Sequence, residues 1–120
     1  MAITNSSLAS GTNNLLTVPA GKKYAITTIL VCNTYTPDPV DPNLGEAEFD
    51  LHLITSADVI ASGIYEFAID DVNRVINGLN LKAGETHSFD SEKLILEAGD
   101  VIAIVASAIN LSATVSYLEI

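Results

Sequence analysis

The chain has 120 residues, 48% of them hydrophobic and 17% charged, which is enough apolar mass for one continuous core and too much for intrinsic disorder. Fifteen acidic residues against five basic ones give a net charge of −10, a balance that repels phosphate backbones and anionic lipid and so argues against nucleic-acid and membrane partners. The single cysteine permits no internal disulfide and no cysteine-rich zinc module; no apolar run reaches the roughly 20 residues of a bilayer-crossing helix, and no basic start followed by an apolar stretch marks a secretion signal.

Residues 1–14 are rich in Ser, Thr, Asn and Gly, and predict a flexible arm that orders only on a neighbour. A domain over 15–120 follows, beginning with a short strand at Leu15–Val18. Tyr24–Asn33, dense in Ile, Thr and Val and apolar on both faces, predicts a central strand covered on two sides. Pro37, Pro39 and Pro42 keep residues 35–45 out of any central strand and predict a stiff projecting loop. From Glu46 to Leu53 the alternation is clean: Ala47, Phe49, Leu51 and Leu53 on one side, Glu46, Glu48, Asp50 and His52 on the other, the pattern of a half-wet antiparallel strand. Shorter strands are predicted at Ile64–Ala68, Val75–Leu81, Thr86–Phe89 and Leu94–Leu96, with one helical turn at Asp70–Arg74. Val101–Ala106 is apolar on both faces, and Ser112–Ile120 alternates again, with Ala113, Val115 and Tyr117 inward.

Three connections share one chemistry: Val18-Pro19-Ala20-Gly21-Lys22, Leu81-Lys82-Ala83-Gly84-Glu85 and Leu96-Glu97-Ala98-Gly99-Asp100. A strand end, Ala-Gly and a charged residue recur, which predicts tight turns with glycine at a positive φ. Many short strands joined by such turns predict an all-β, single-domain antiparallel sandwich of the jelly-roll kind.

Reactive constellations are sparse. His52 sits among carboxylates, His87 follows a turn, and Cys32 lies in the most apolar strand, where a thiol is packing; no nucleophile elbow, phosphate loop or zinc-protease motif occurs. The expectation is a protein that is not an enzyme and uses no cofactor. Asp38, Asp41, Asn43 and Glu46 crowd one loop with the hard oxygens calcium favours, but at the wrong spacing for an EF-hand, and a solvated acidic loop is the simpler reading. The stripe Glu46, Glu48, Asp50 is read as an exposed face. Among the tyrosines that a sugar could stack on, Tyr35 is expected to be exposed, Tyr117 to be core, and Tyr65 is the third candidate.

Leu16-Thr17-Val18-Pro19-Ala20-Gly21-Lys22, Ile29-Leu30-Val31-Cys32-Asn33-Thr34, Leu81-Lys82-Ala83-Gly84-Glu85-Thr86 and Leu94-Ile95-Leu96-Glu97-Ala98-Gly99-Asp100 through Ala108, with the ending Thr114–Ile120, together resemble the small β-sandwich virion proteins of tailed bacteriophages, particularly marine and cyanobacterial ones. The resemblance runs from about Leu15 to Ile120 and is most specific at Leu-Glu-Ala-Gly-Asp. It implies a virion location and a structural role: capsid decoration or cement bound to the major capsid protein, or alternatively a tail, neck or fibre component. By analogy it implies a homo-oligomer, with a trimer favoured. The proline loop is longer than the family's compact pattern. Ile3 and Leu8 in the arm and Tyr35, Pro37, Pro39 and Pro42 in the loop are the candidate partner contacts. A carbohydrate-binding module is the reading from a different class.

Overall fold

The structure is a computed structural model and describes residues 2–57 and 73–120, with the backbone alone at 90–93. Among the described residues eight strands follow in order: β1 (Ala2–Ser7), β2 (Gly11–Thr17), β3 (Lys23–Asn33), β4 (Ala47–Ile54), β5 (Arg74–Leu81), β6 (Thr86–Glu97), β7 (Val101–Ala106) and β8 (Leu111–Glu119). They form two four-stranded sheets, in the orders β1-β8-β3-β6 and β2-β7-β4-β5, and every pairing is antiparallel. The pairings reveal how the chain is wound. β4 pairs with β5, β3 with β6, β2 with β7 and β1 with β8, as in one long antiparallel ribbon; β8 against β3 and β7 against β4 then roll that ribbon into two layers. This is a jelly roll.

Between the layers lie Ile26, Ile29, Val31, Phe49, Leu51, Ile102, Ile104, Leu111 and Val115, all at most 2% exposed. Burying side chains of that size stabilises by about 1.5–3 kcal/mol each before chain entropy is counted, which is the force that closes the sandwich.

β3 departs from expectation in a way its bulge explains. Its pairing with both neighbours shifts between Ile26 and Thr28, and the Thr27 hydroxyl closes the gap by donating to Ser116 O at 3.0 Å. The inward set therefore changes parity, from Tyr24 and Ile26 to Ile29, Val31 and Asn33. Both faces look apolar in sequence because the inward face changes sides midway. β3 is central within its sheet but covered on one face only: Leu30 is exposed and Cys32 half-buried on the outer side.

Residues 2–14 are not a free arm. Ala2–Ser7 pair with β8 throughout, Gly11–Asn14 pair with β7, and Leu8, expected as a partner contact, is buried in the core with its amide donating to Leu111 O at 3.0 Å. Ser, Thr and Asn in an edge strand satisfy the alternation as well as they suit a loop, so composition alone misled there. The two short strands expected at 86–89 and 94–96 are one strand, β6, whose polar Asp90–Lys93 stretch interrupts the apolar pattern without breaking the backbone. The strand expected at 64–68, the helical turn up to residue 72, and Tyr65 lie outside the described residues; Arg74 opens β5.

His52 is the other correction. It shares the outer side of β4 with Glu48 and Asp50, yet it is fully buried, as are Ile54, Val101 and Ala103 beside it. Its Nδ1 lies 2.6 Å from Asn73 Oδ1, so Nδ1 carries the hydrogen, and Nε2 is buried without a hydrogen-bond partner. Only the Glu46–Asp50 part of the stripe is wet, and even there Asp50 is half-buried, accepting from the Gly78 amide at 2.5 Å and facing Arg74 at 3.7 Å. It is no simple exposed run of like charges.

Candidate functional site at the loop end of the sandwich

Jelly-roll winding brings alternate connections to one end of the sandwich. Here those are residues 8–10, 34–46, 82–85 and 107–110, and backbone hydrogen bonds tie them together: Leu8 to Leu111, Thr34 to Asn110 (2.8 Å) and Gly84 to Asn33 (3.0 Å). The long proline loop stands on this end. Between it and the 107–110 turn lies a cleft of about 840 Å3, lined by Tyr35, Pro37, Pro39, Leu44, Ile109 and neighbouring backbone.

Asn33 organises the end. It is fully buried, and all of its side-chain polar atoms are used. Nδ2 donates to Gly45 O (2.8 Å) and Leu81 O (3.0 Å), while Oδ1 accepts from the Tyr35 amide (3.0 Å) and from Asn110 Nδ2 (3.1 Å). Asn110 Nδ2 also donates to Gly45 O at 2.6 Å. Two of the four connections, and the end of β5 that leads into a third, are thus pinned to one amide side chain. The parity change at Thr27 is what turns Asn33 inward.

Tyr35 rests on Gly45, whose φ is +82° and where any Cβ would collide with the phenol ring. That close approach seats the ring at the cleft with 39% of its surface exposed, as expected. Val40 (89%) and Ile109 (79%) are the most exposed large apolar side chains described, and both stand at this end. Pro37 and Pro39 line the cleft, whereas Pro42 is exposed outside it; Ile3 is exposed on β1, away from this end. Tyr117 stacks on Tyr24 with ring centroids 4.4 Å apart, against the core as expected.

The acidic loop residues do not converge. Asp38 Oδ1 accepts from the amides of Val40 (2.7 Å) and Asp41 (3.1 Å), Asp41 Oδ1 from Asn43 (3.0 Å), and Glu46 Oε1 from Asn80 Nδ2 (2.9 Å). The Val40 amide foremost, with that of Asp41, holds the Asp38 carboxyl below its ordinary value. These carboxylates stiffen the loop, and among the described residues no group of three or more His, Cys, Asp or Glu side chains gathers as metal ligands would. His87 is half-buried, with its ring centroid 6.4 Å from that of Phe49.

The sequence reading missed Ile109, Leu44, Val40 and the paired asparagines. One signal was present for Ile109, an isoleucine at the tip of the short Ser107–Asn110 connection between two strands. The chain matches no protein-family model and no curated protein.

Proposed function

We propose that this protein is a non-enzymatic structural component of a bacteriophage virion, a decoration or cement protein that binds the outer surface of the head, with the loop end as its attachment surface. The observation that carries this reading is the strand wiring, because the jelly roll recurs in viral capsid proteins; lectins and cupins share it, so the analogy is one of architecture. The resemblance of the Ala-Gly turns and flanking strands to small phage virion proteins points the same way. The loop end adds a physical reason. Exposed Tyr35, Val40, Leu44 and Ile109 offer apolar anchors on a frame already made rigid by Asn33, so little order is lost on docking. Quantitative mass spectrometry of purified virions tests it: copies should equal the number of head lattice positions or a fixed multiple. A low copy number around one axis selects the tail, neck or fibre alternative, and absence from particles overturns both.

A second reading has its own observation, the cleft with half-exposed Tyr35 on its wall and the polar side chains of Asp38 and Glu46 nearby, which has the makings of a glycan subsite. Binding on a glycan array that disappears with Tyr35→Ala supports it; a blank array removes it.

A further inference from the structure

The twenty charged residues are distributed very unevenly. Residues 2–21 and 101–118 contain none, so all of the charge falls within 22–100 and at Glu119. The two neutral stretches form β1, β2, β7 and all of β8 but its last residue, and in each sheet these strands are neighbours on one side of the order. A chain of net charge −10 therefore has one lateral side, the β1–β8 and β2–β7 side, built from uncharged residues except Glu119 at the very end of β8, which lies beyond the stretch paired with β1 and is paired with Lys22.

β1 is the outermost strand of that side, and its free edge lacks the devices that normally keep a sheet edge from pairing. β5 carries Arg74, a positive-φ Gly78 and a shifted register; β6 carries Asp90, Glu92, Lys93 and Glu97; β2 is bulged between Asn14 and Leu16. β1 has no charge, no proline and an unbroken register over its six residues, with Ile3 64% exposed. The register also shows which backbone groups are free. Leu8 donates to Leu111 O, so Leu8, Ser6, Thr4 and Ala2 are the hydrogen-bonded positions facing β8, and the amides and carbonyls of Ile3, Asn5 and Ser7 point outward.

We infer that β1 is a self-association edge, pairing antiparallel with β1 of a second copy about a two-fold axis through its centre and joining two sheets into one of eight strands. The second copy is the fitting occupant because two chains of like charge can meet without repulsion only where neither carries charge, whereas a partner of opposite charge would be drawn to the acidic remainder. A two-fold edge is self-complementary, and β1 meeting β5 or β6 of another copy would bring a neutral edge against a charged one. The inference stands independently of the virion reading, and it favours a pair over the trimer expected by analogy.

Sedimentation equilibrium of the purified chain across a concentration series tests it, with Asn5→Pro and Ile3→Lys alongside. Asn5→Pro deletes an outward amide that β8 does not use, together with the exposed Thr114 Oγ1 to Asn5 Oδ1 hydrogen bond (2.8 Å), and Ile3→Lys puts a charge on an exposed side chain, so neither removes a buried contact; circular dichroism checks that the fold is kept. The wild type should reach twice the 12.6 kDa chain mass, each variant should raise the dimer dissociation constant at least tenfold, and the Ile3, Asn5 and Ser7 amides should gain exchange protection as concentration rises. A wild type that stays monomeric, a trimer, or a dimer indifferent to both substitutions overturns the inference.

Discussion

At the scale of single residues, a buried asparagine and a glycine under an aromatic ring shape the loop end more than its charges do. Replacing Asn33 with Ala takes the Asn33 partner from the Leu81 carbonyl, the Tyr35 amide and Asn110 Nδ2, leaving Gly45 O to Asn110 alone, and should cost about 2–4 kcal/mol in urea unfolding. Gly45→Ala should cost about 1–3 kcal/mol from its left-handed backbone. It should also displace Tyr35, read as a change in tyrosine fluorescence that Asn33→Ala does not simply reproduce. The Asp38 clamp has a defined pH window. Its folded-state value is depressed, so its stabilising effect is fully present above the ordinary value near 3.8 and is lost as pH falls through the lower folded value. Amide shifts of Val40 and Asp41 should therefore hold steady down to the ordinary carboxylate range and change only below it; a midpoint above that range would contradict the clamp. The exposure of Tyr35 and the inward placing of Tyr117 follow from a proline-rich flank and from alternation, and were legible. Asn33 was not, because its burial depends on a bulge at Thr27 that no periodicity announces.

Among the elements, the three Ala-Gly turns are where sequence and structure agree best, and the agreement has a mechanism. Gly21, Gly84 and Gly99 have φ of 77°, 80° and 87°, and the residue after each donates back across the turn, as Glu85 does to Lys82 O and Asp100 to Glu97 O. The charged residue has its own part: Glu85 Oε1 accepts the Lys82 amide at 2.6 Å and Asp100 Oδ2 the Glu97 amide at 2.9 Å. At the third turn Lys22 cannot accept, and pairs instead with Glu119 at 3.1 Å. Surroundings separate the turns. A Cβ on Gly21 meets nothing within 4 Å, so Gly21→Ala should cost only the backbone strain, about 1–2 kcal/mol. On Gly99 it would lie 2.8 Å from Ser56 Cβ, so Gly99→Ala should be distinctly worse, measured by thermal unfolding of the two variants side by side. Equal losses would mean that the Ser56 contact is not maintained. Strands with one inward parity, such as Leu111–Tyr117, were readable end to end. Edge strands were not: β1 earns its place by pairing with β8, a long-range event that local composition does not encode.

For the whole molecule, the ribbon pairing of first strand with last makes a rigid two-layer body whose chemistry lies in its outer surfaces. One end gathers four connections, with Asn33 at their centre, and raises apolar side chains above them, while one lateral side carries no charge but that of Glu119 at the last residue of β8. That division suits a subunit that docks by its end and leaves an acidic remainder in water. The sandwich could be foreseen from spacing and turns; which connections meet at one end could not, since that follows from the order of strands in space. Hydrogen exchange, compared between the free chain and the chain assembled in virions, tests the docking claim most directly. The account predicts that amides within 34–46 and 107–110 gain far more protection on assembly than the 18–22 and 97–100 turns at the opposite end. Equal lability of the loop end in both states, with protection gained at the opposite turns instead, would contradict it.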